Sequence, residues 1–445
     1  MRELRRRDAL TVFGSLSASL GAMFGVTLVD STRERGDERP ESDGAGPSSR
    51  TNGSAPSSRV GASPSEVRDD TTDLAYPNDV RTRAHATGRP LSTITRREEW
   101  TATGGTTAGW QDVGGETAKR LVSPASATRP GMSTTFAEPL DLTTLALSVG
   151  VSLDRPAEEI VQLRAFAPDE DNQLYMQRYL QRRAGTVRLD VAPGRTIGSP
   201  DPTAVEGLSI ESFTGAGKPI ELGVGGLRVR ESPRRRGAVI LTFDDGHHTQ
   251  LDVAKPILDE FGYPGVVGVV PWLVEEDDRI SARELHGMVA DGWEMASHPQ
   301  RRDTPLPTLS KSRQRDAIER SKRWFVEEGF AGRGETLIWP FGAFDERTLD
   351  LVGEYHRLAF GGGASPAPWA ITEPGWVPRV NGDDPAAVRQ AVDAAARFGT
   401  VATVMYHTIG EHRLSADGLR EQLRYIDRAD VDVTLPSKLA DAQPY

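Results

Sequence analysis

Ala238-Val-Ile-Leu-Thr-Phe-Asp-Asp-Gly246 is an apolar run that stops at two adjacent carboxylates and a glycine. A run apolar at almost every position suits a strand buried on both faces, as in a parallel sheet. Asp-Asp-Gly is turn chemistry. A turn at a strand end can hold neighbouring carboxylates where burial and repulsion separate their pKa values. The stretch therefore predicts a buried strand that delivers Asp244 and Asp245 to a rim, one to bind a cation and the other to move protons. A solvated turn is the bland alternative.

Further strands end in the same manner at Gly292-Trp-Glu-Met-Ala-Ser-His298, Trp339-Pro-Phe-Gly342 and Thr403-Val-Met-Tyr-His407. Between them lie helical patterns. Val253, Ile257, Leu258 and Phe261 form an apolar stripe over 251–261, and Pro264 to Val270 supplies a second strand. Ser281-Ala-Arg-Glu284 is a capping box, Ser310 to Gly329 is a long charged amphipathic segment, and Asp345, Asp384 and Ser415 open later helices. Alternation of strand and helix from residue 236 to the C-terminus predicts a parallel α/β fold with its chemistry at the C-terminal ends of the strands. Asp244, Asp245, His298 and His407 then converge.

In that order these residues resemble the NodB-homology polysaccharide deacetylases, a carbohydrate esterase family. Thr242-Phe-Asp-Asp-Gly246 matches the first family motif in full. His298 falls at the second motif, Pro340-Phe341-Gly342 at the third, Pro378-Arg379-Val380 at the fourth and His407 at the fifth. The resemblance implies a distorted, incomplete (β/α) barrel over 236–445 that hydrolyses N-acetyl or O-acetyl groups on glycans with a divalent metal held by one Asp and two His. It implies Asp244 as the general base, Asp245 and His298 as metal ligands, and His407 as the acid that protonates the departing amine. Arg379 resembles the Arg that contacts the catalytic Asp in relatives. The oxyanion would be met by the metal and a backbone N–H. The cofactor implied is zinc, with cobalt, manganese or nickel as alternatives, and the partner is an acetylated glycan.

One departure from the family pattern bears on the metal. The second motif places another His four residues after the first, and here that position is Arg302. A guanidinium that is always charged cannot ligate a cation. Asp303 is the nearest alternative oxygen ligand, and His247 and His248 follow the Asp-Asp-Gly turn. Any of these could complete a three-ligand site, or the site is lost. Trp339, Trp369 and Trp376 are candidates either for a sugar-stacking groove or for the core. His85, His286, His356 and His412 carry no motif and are expected on surfaces or helices.

Residues 71–232 have another character. Leu145, Leu147, Val149, Val151 and Leu153, and later Leu227 and Val229, alternate with period two, the pattern of antiparallel β. Turn signals at Ala192-Pro-Gly194 and Gly215-Ala-Gly217 suggest a β-sandwich of jelly-roll type. Such a domain beside a glycan enzyme could bind carbohydrate through Trp100, Trp110, Tyr175 and Tyr179, or simply pack against the barrel. The fold class expected is thus multi-domain, a jelly-roll-like β-sandwich followed by an α/β barrel.

Before it, Met1-Arg-Glu-Leu-Arg-Arg-Arg7 precedes an uncharged apolar segment from Ala9 to Val29. Residues 1–30 read as a twin-arginine-like secretory signal or a single membrane anchor. Residues 31–70, rich in Ser, Gly, Pro, Asp and Arg, read as a disordered linker. The protein is expected to be exported to the cell surface or beyond.

The formal charge of −11 argues against a nucleic-acid partner. The absence of cysteine excludes disulfides and thiolate metal sites. Only six lysines occur, at 119, 218, 255, 311, 322 and 438, and acids exceed bases by 64 to 53, a balance that resembles proteins of extreme halophiles. A glycan deacetylase is the leading reading of the whole. Its rivals are a surface glycan-binding protein whose barrel has lost its metal and a hydrolase of other C–N bonds.

Overall fold

The computed structural model describes residues 74, 75, 79–91 and 100–445, apart from 105, 114, 115, 128, 213–216, 234, 301–303, 331–334, 364, 411 and 412. The expected signal segment 1–30, the linker 31–70, Arg302, Asp303 and His412 lie outside the described residues. Among the described residues no helix is long and apolar enough to cross a membrane. Asp73–Tyr445 form one compact unit.

Helix Val80–His85 starts at Asp79, whose carboxylate accepts from the Arg81 and Thr82 amides. Twelve strands follow: β1 Arg89–Pro90, β2 Thr101–Thr103, β3 Thr106–Val113, β4 Glu116–Ser123, β5 Gly131–Leu140, β6 Leu145–Arg155, β7 Glu158–Phe166, β8 Gln173–Gln181, β9 Thr186–Asp190, β10 Arg195–Ile197, β11 Val205–Ser212 and β12 Ile220–Glu231. They make two antiparallel sheets, ordered β3-β4-β12-β6-β9 with β1 beside β12, and β10-β8-β7-β11-β5-β2. Leu147, Val149, Val151 and Leu153 of β6 and Leu227 and Val229 of β12 are buried, Leu145 only partly, and Val149 and Val151 share one apolar cluster with Leu163, Met176 and Leu208 of the other sheet.

The second half is a barrel. Gly237–Phe243 (β13), Val266–Val269 (β14), Glu294–Ser297 (β15), Thr336–Ile338 (β16), Leu358–Gly362 (β17), Val377–Asn381 (β18) and Val401–Tyr406 (β19) run parallel. β19 returns to β13 and β13 also pairs with β14, so seven strands close on themselves, with Val431–Val433 (β20) added along β13. Helices Lys255–Phe261, Ala282–Ala290, Lys311–Glu327, Glu346–Tyr355, Pro385–Phe398 and Ala416–Arg428 alternate with these strands. Four of them begin at residues the sequence marks as caps, since Ser281, Asp345, Asp384 and Ser415 all accept from amides of the first turn. The helix expected from Leu251 starts later, because Gln250–Ala254 winds as a π turn before it.

Strand period decides what faces the barrel axis. Val239, Leu241 and Phe243 of β13 pack with the helix residues Ile257, Leu285 and Val392. Ala238 and Ile240 instead cluster with Ala296, Ile338, Phe360, Val377 and Val401, strand residues of the interior. The outer faces of β16 and β17, through Leu337 and Ala359, join the apolar cluster of the two antiparallel sheets. The two halves therefore share core.

His356, placed by sequence on a surface or helix, is instead 1 % exposed, and neither ring nitrogen has a hydrogen-bonding partner among the described residues. It follows a helix whose apolar face turns inward, so the chain enters β17 already buried. Burial, reinforced by the charge of Lys322, pushes the imidazole well below its ordinary value. A His depressed in the fold is neutral there and protonated sooner when unfolded. Its stability contribution is therefore full above about pH 6.5 and lost as pH falls below that value. Between pH 6.5 and 5, wild type should lose up to about 1.4 kcal/mol per pH unit more than His356→Leu. Denaturant titrations of both proteins across that range check this, and equal slopes would remove His356 as the cause.

Candidate active site

Asp244, His298, Arg379 and His407 continue the inward phase of their strands. Each stands two, two, two and six residues beyond Thr242, Ala296, Val377 and Val401 respectively, and the last three of those line the interior cluster. Period two thus carries all four side chains toward the axis at the C-terminal rim. Asp244 is 2 % and Arg379 4 % exposed. Arg379 Nη1 donates to Asp244 Oδ1 at 2.7 Å and Nη2 to Oδ2 at 2.9 Å, a bidentate pair. Nη1 also reaches Thr242 Oγ1 at 3.1 Å, and that hydroxyl donates to the Val404 carbonyl. Burial alone would raise the Asp244 carboxyl, but the charge and hydrogen bonds of Arg379, with His298 and His407, hold it below the usual range.

The turn then reverses at Asp245. Its φ of 74° and that of Gly246, 66°, lie in the left-handed region, costly for a residue with a Cβ although Asp tolerates it better than most. Among the described residues the other non-glycine positions with positive φ are Glu275 and Phe341, and both also follow barrel strands at this rim. Among the described residues, left-handed backbone at non-glycine positions is thus gathered at one end of the barrel.

Asp245 sits between two imidazoles. His298 Nε2 is 3.4 Å from Asp245 Oδ1 and His247 Nε2 is 3.8 Å from Oδ2. The two rings differ in tautomer. His298 Nδ1 donates to the Ile338 carbonyl at 2.8 Å, so in the neutral ring the lone pair lies on Nε2, the nitrogen that faces the carboxylate. Arg279 Nη1 lies 2.5 Å from His247 Nδ1, and an arginine can only donate, so His247 carries its proton on Nε2. His298 and Asp245 thus suit a divalent metal, and His247 as placed does not. Among the described residues no set of three His, Asp or Glu is arranged to hold an ion. The donor set fits two ligands of a metal site, while Asp303 lies outside the described residues. His248 points elsewhere, to Asp252 at 3.0 Å.

Burial lowers and the neighbouring aspartates raise the His298 ring, with the aspartates prevailing. Asp245 is held far below the usual carboxylate range, where burial is outweighed by hydrogen bonds and charge from the histidines. For His407 burial wins against Asp244 and Asp245 and keeps the ring neutral to lower pH, and its Nδ1 is buried without a partner among the described residues.

Sequence reasoning missed Gln250 and Arg279. Gln250 is fully buried, and its amide nitrogen donates to the carbonyls of Asp244, at 2.5 Å, and His407, at 3.2 Å, so it ties together the ends of β13 and β19. Its place shortly after Asp-Asp-Gly was the available signal. The aromatic candidates divide differently. Trp339 and Trp376 are core residues whose indole N–H groups donate to the Gly375 and Gly362 carbonyls, with Phe344 packed against both. Trp369 lies half-buried under Arg235. Trp100 is core as well, whereas Trp110, Tyr175 and Tyr179 are half-buried. Among the described residues the exposed aromatics are Trp272 and Phe341, both at the rim.

Residues 231–357 match the family model described as polysaccharide deacetylase. No curated protein matches the chain. Among solved structures it is similar to a family 4 carbohydrate esterase from Streptomyces lividans in complex with acetate, at 15 % identity and a TM-score of 0.35, covering 45 % of this chain and 92 % of that one. It is similar to a family 4 acetyl xylan esterase from Clostridium thermocellum in complex with a cobalt ion, at 17 % identity and 0.33, covering 45 % and 89 %. A third is a peptidoglycan deacetylase from Bacillus subtilis, at 18 % and 0.34, covering 46 % and 91 %. Residues 231–357, in the barrel half, thus match the model of the polysaccharide deacetylase family that the motifs of this chain resemble.

Proposed function

We propose that the protein removes acetyl groups from surface or extracellular glycans by metal-assisted attack of water. The observation that carries this reading is the meeting of Asp244, Asp245 and His298 at one rim, with His298 Nδ1 tied to the Ile338 carbonyl so that Nε2 faces Asp245. Asp245 and His298 would hold the metal, zinc or another divalent ion, which when bound would polarise the acetyl carbonyl and lower the pKa of a water. Asp244, kept ionised and oriented by Arg379, accepts the proton from the attacking water. His407 protonates the departing nitrogen. Burial favours its neutral ring, so only the protonated form, which gains its proton from solvent, acts as the acid.

In this reading the two antiparallel sheets are a jelly-roll sandwich that presents glycan to the barrel, with Tyr175 and Tyr179 on β8 as its aromatic contacts. Segment 1–30 exports or anchors the chain, and 31–70 tethers it. Fractionation of cells that make the full chain and a form lacking residues 1–30 tests the export step.

A second reading is favoured by particular residues. Arg302 replaces a family ligand, and Arg279 turns His247 away from metal binding. A barrel so altered would recognise glycan without hydrolysing it. Acetate release from acetylated amino-sugar oligomers separates the two, measured before chelation, after it and after metal add-back, in high salt. Under the enzyme reading release is expected to vanish with chelator and in Asp245→Ala, and to return with metal in wild type alone. Glycan binding with no release in any condition would favour the second reading.

A further inference from the structure

Trp272 stands at the start of the loop leaving β14. At 47 % it is the most exposed large apolar side chain among the described residues. The indole is nonetheless fixed. Its Nε1 donates to the Gln300 carbonyl at 2.8 Å, and the Gln300 amide donates in turn to the His298 carbonyl. The turn that carries His298 therefore also orients the Trp272 ring. Leu273, next in the chain, lines a depression together with Asp245 and Gly246. On the other side, Phe341 follows β16 and is 40 % exposed. β14, β15 and β16 are neighbours, so the strands that lead into the two aromatic loops lie about 10 Å apart, with the strand that leads to His298 between them.

We propose that Trp272 is a stacking platform for a pyranose ring of the glycan chain next to the acetylated residue, and so sets the enzyme's preference for oligomers; this rests on the deacetylase reading. The indole N–H is already used, so what remains to a ligand is an apolar plane, which the C–H face of a pyranose matches. The surroundings disfavour other occupants. Glu275, Glu276, Asp277 and Asp278 follow in the same loop and are exposed. Such a carboxylate run repels an anionic lipid surface and interrupts the continuous apolar patch that a protein partner would need. A neutral or amine-bearing glycan meets no such penalty.

The test compares wild type, Trp272→Ala, Trp272→Phe and, as a control on a distant helix, Val326→Ala. Calorimetric affinity for acetylated amino-sugar tetramers and hexamers is measured beside kcat and KM for acetate release, and thermal melts confirm folding. Trp272→Ala is expected to raise Kd and KM for hexamer about tenfold, equivalent to about 1.4 kcal/mol, with a much smaller change in kcat. Trp272→Phe keeps a ring and should stay within about threefold. If wild type binds and deacetylates hexamer and Trp272→Ala does so equally well, the platform is refuted and the deacetylase stands. If wild type neither binds nor releases acetate from any oligomer, both fail. Binding of wild type to anionic vesicles or to a protein that is lost in Trp272→Ala, with glycan affinity unchanged, would also overturn the assignment.

Discussion

Replacing Glu373 by alanine is expected to destabilise the protein by about 3–5 kcal/mol, because the change leaves a buried arginine without its buried counter-ion and only a solvent-screened one. Glu373 lies in the loop before β18 and is 2 % exposed. Arg81, from the first helix, grips it through Nε at 2.9 Å and Nη2 at 3.2 Å, while His85 Nε2 lies 2.8 Å away. The Arg188 amide of β9 donates to it as well, and beside it Thr372 binds Asp190 of the same strand. Burial would raise the Glu373 carboxyl, but Arg81 and His85 hold it far below its ordinary value. The antiparallel half thus neutralises a charge that the barrel has buried. Asp350 also pairs with Arg81, at 2.6 Å, but its side chain is 55 % exposed. Solvent screens it, and Asp350→Ala should cost no more than about 1 kcal/mol. Denaturant unfolding of the two variants decides the matter. Equal losses would show that the buried cluster does not hold the halves together.

Asp244 and Arg379 should show the largest effect on activity and a particular pattern in stability. Asp244→Asn is expected to lower acetate release by roughly 10²–10⁴-fold, the range for a lost general base. Arg379→Met should be inactive as well, and less stable by about 3–5 kcal/mol, since Asp244 would remain buried and unpaired. The double variant is the informative one. With both charges gone it should be more stable than Arg379→Met alone, yet recover no acetate release. Additive stability losses would mean that the pair is not coupled, and release by Asp244→Asn within tenfold of wild type would remove Asp244 as the base.

Much of this site was legible because strand chemistry is local. The apolar run 237–243 had to be buried on both faces, and all seven of its residues are. With its phase set, Asp244 points inward as the next residue of the Ala238, Ile240, Thr242 series. Cap residues such as Asp345 and Ser281 were readable for the same reason, since a side chain that bonds an amide three residues ahead needs no distant partner. The alternation in β6 predicted antiparallel pairing correctly as well.

Other features depend on segments far apart in the chain. Periodicity separates the two faces of an element but does not say what covers them. Trp339 and Trp376 therefore read equally as groove or core until Phe344 and the neighbouring carbonyls closed over them, and Trp272, which carried no motif, is left facing water. His356 has no sequence signal for burial, because the walls around it come from other elements. His247 and His298 are the same residue type beside the same carboxylate, yet one is turned by Arg279 and the other by the Ile338 carbonyl. The sequence by itself determined the strand order of the chemistry, the inward phase of Asp244, His298, Arg379 and His407, and the helix starts. Only the tertiary structure decided which histidine keeps a lone pair for a metal, where the strands close, and how Arg81 reaches Glu373, because burial and tautomer are set by partners brought together across hundreds of residues.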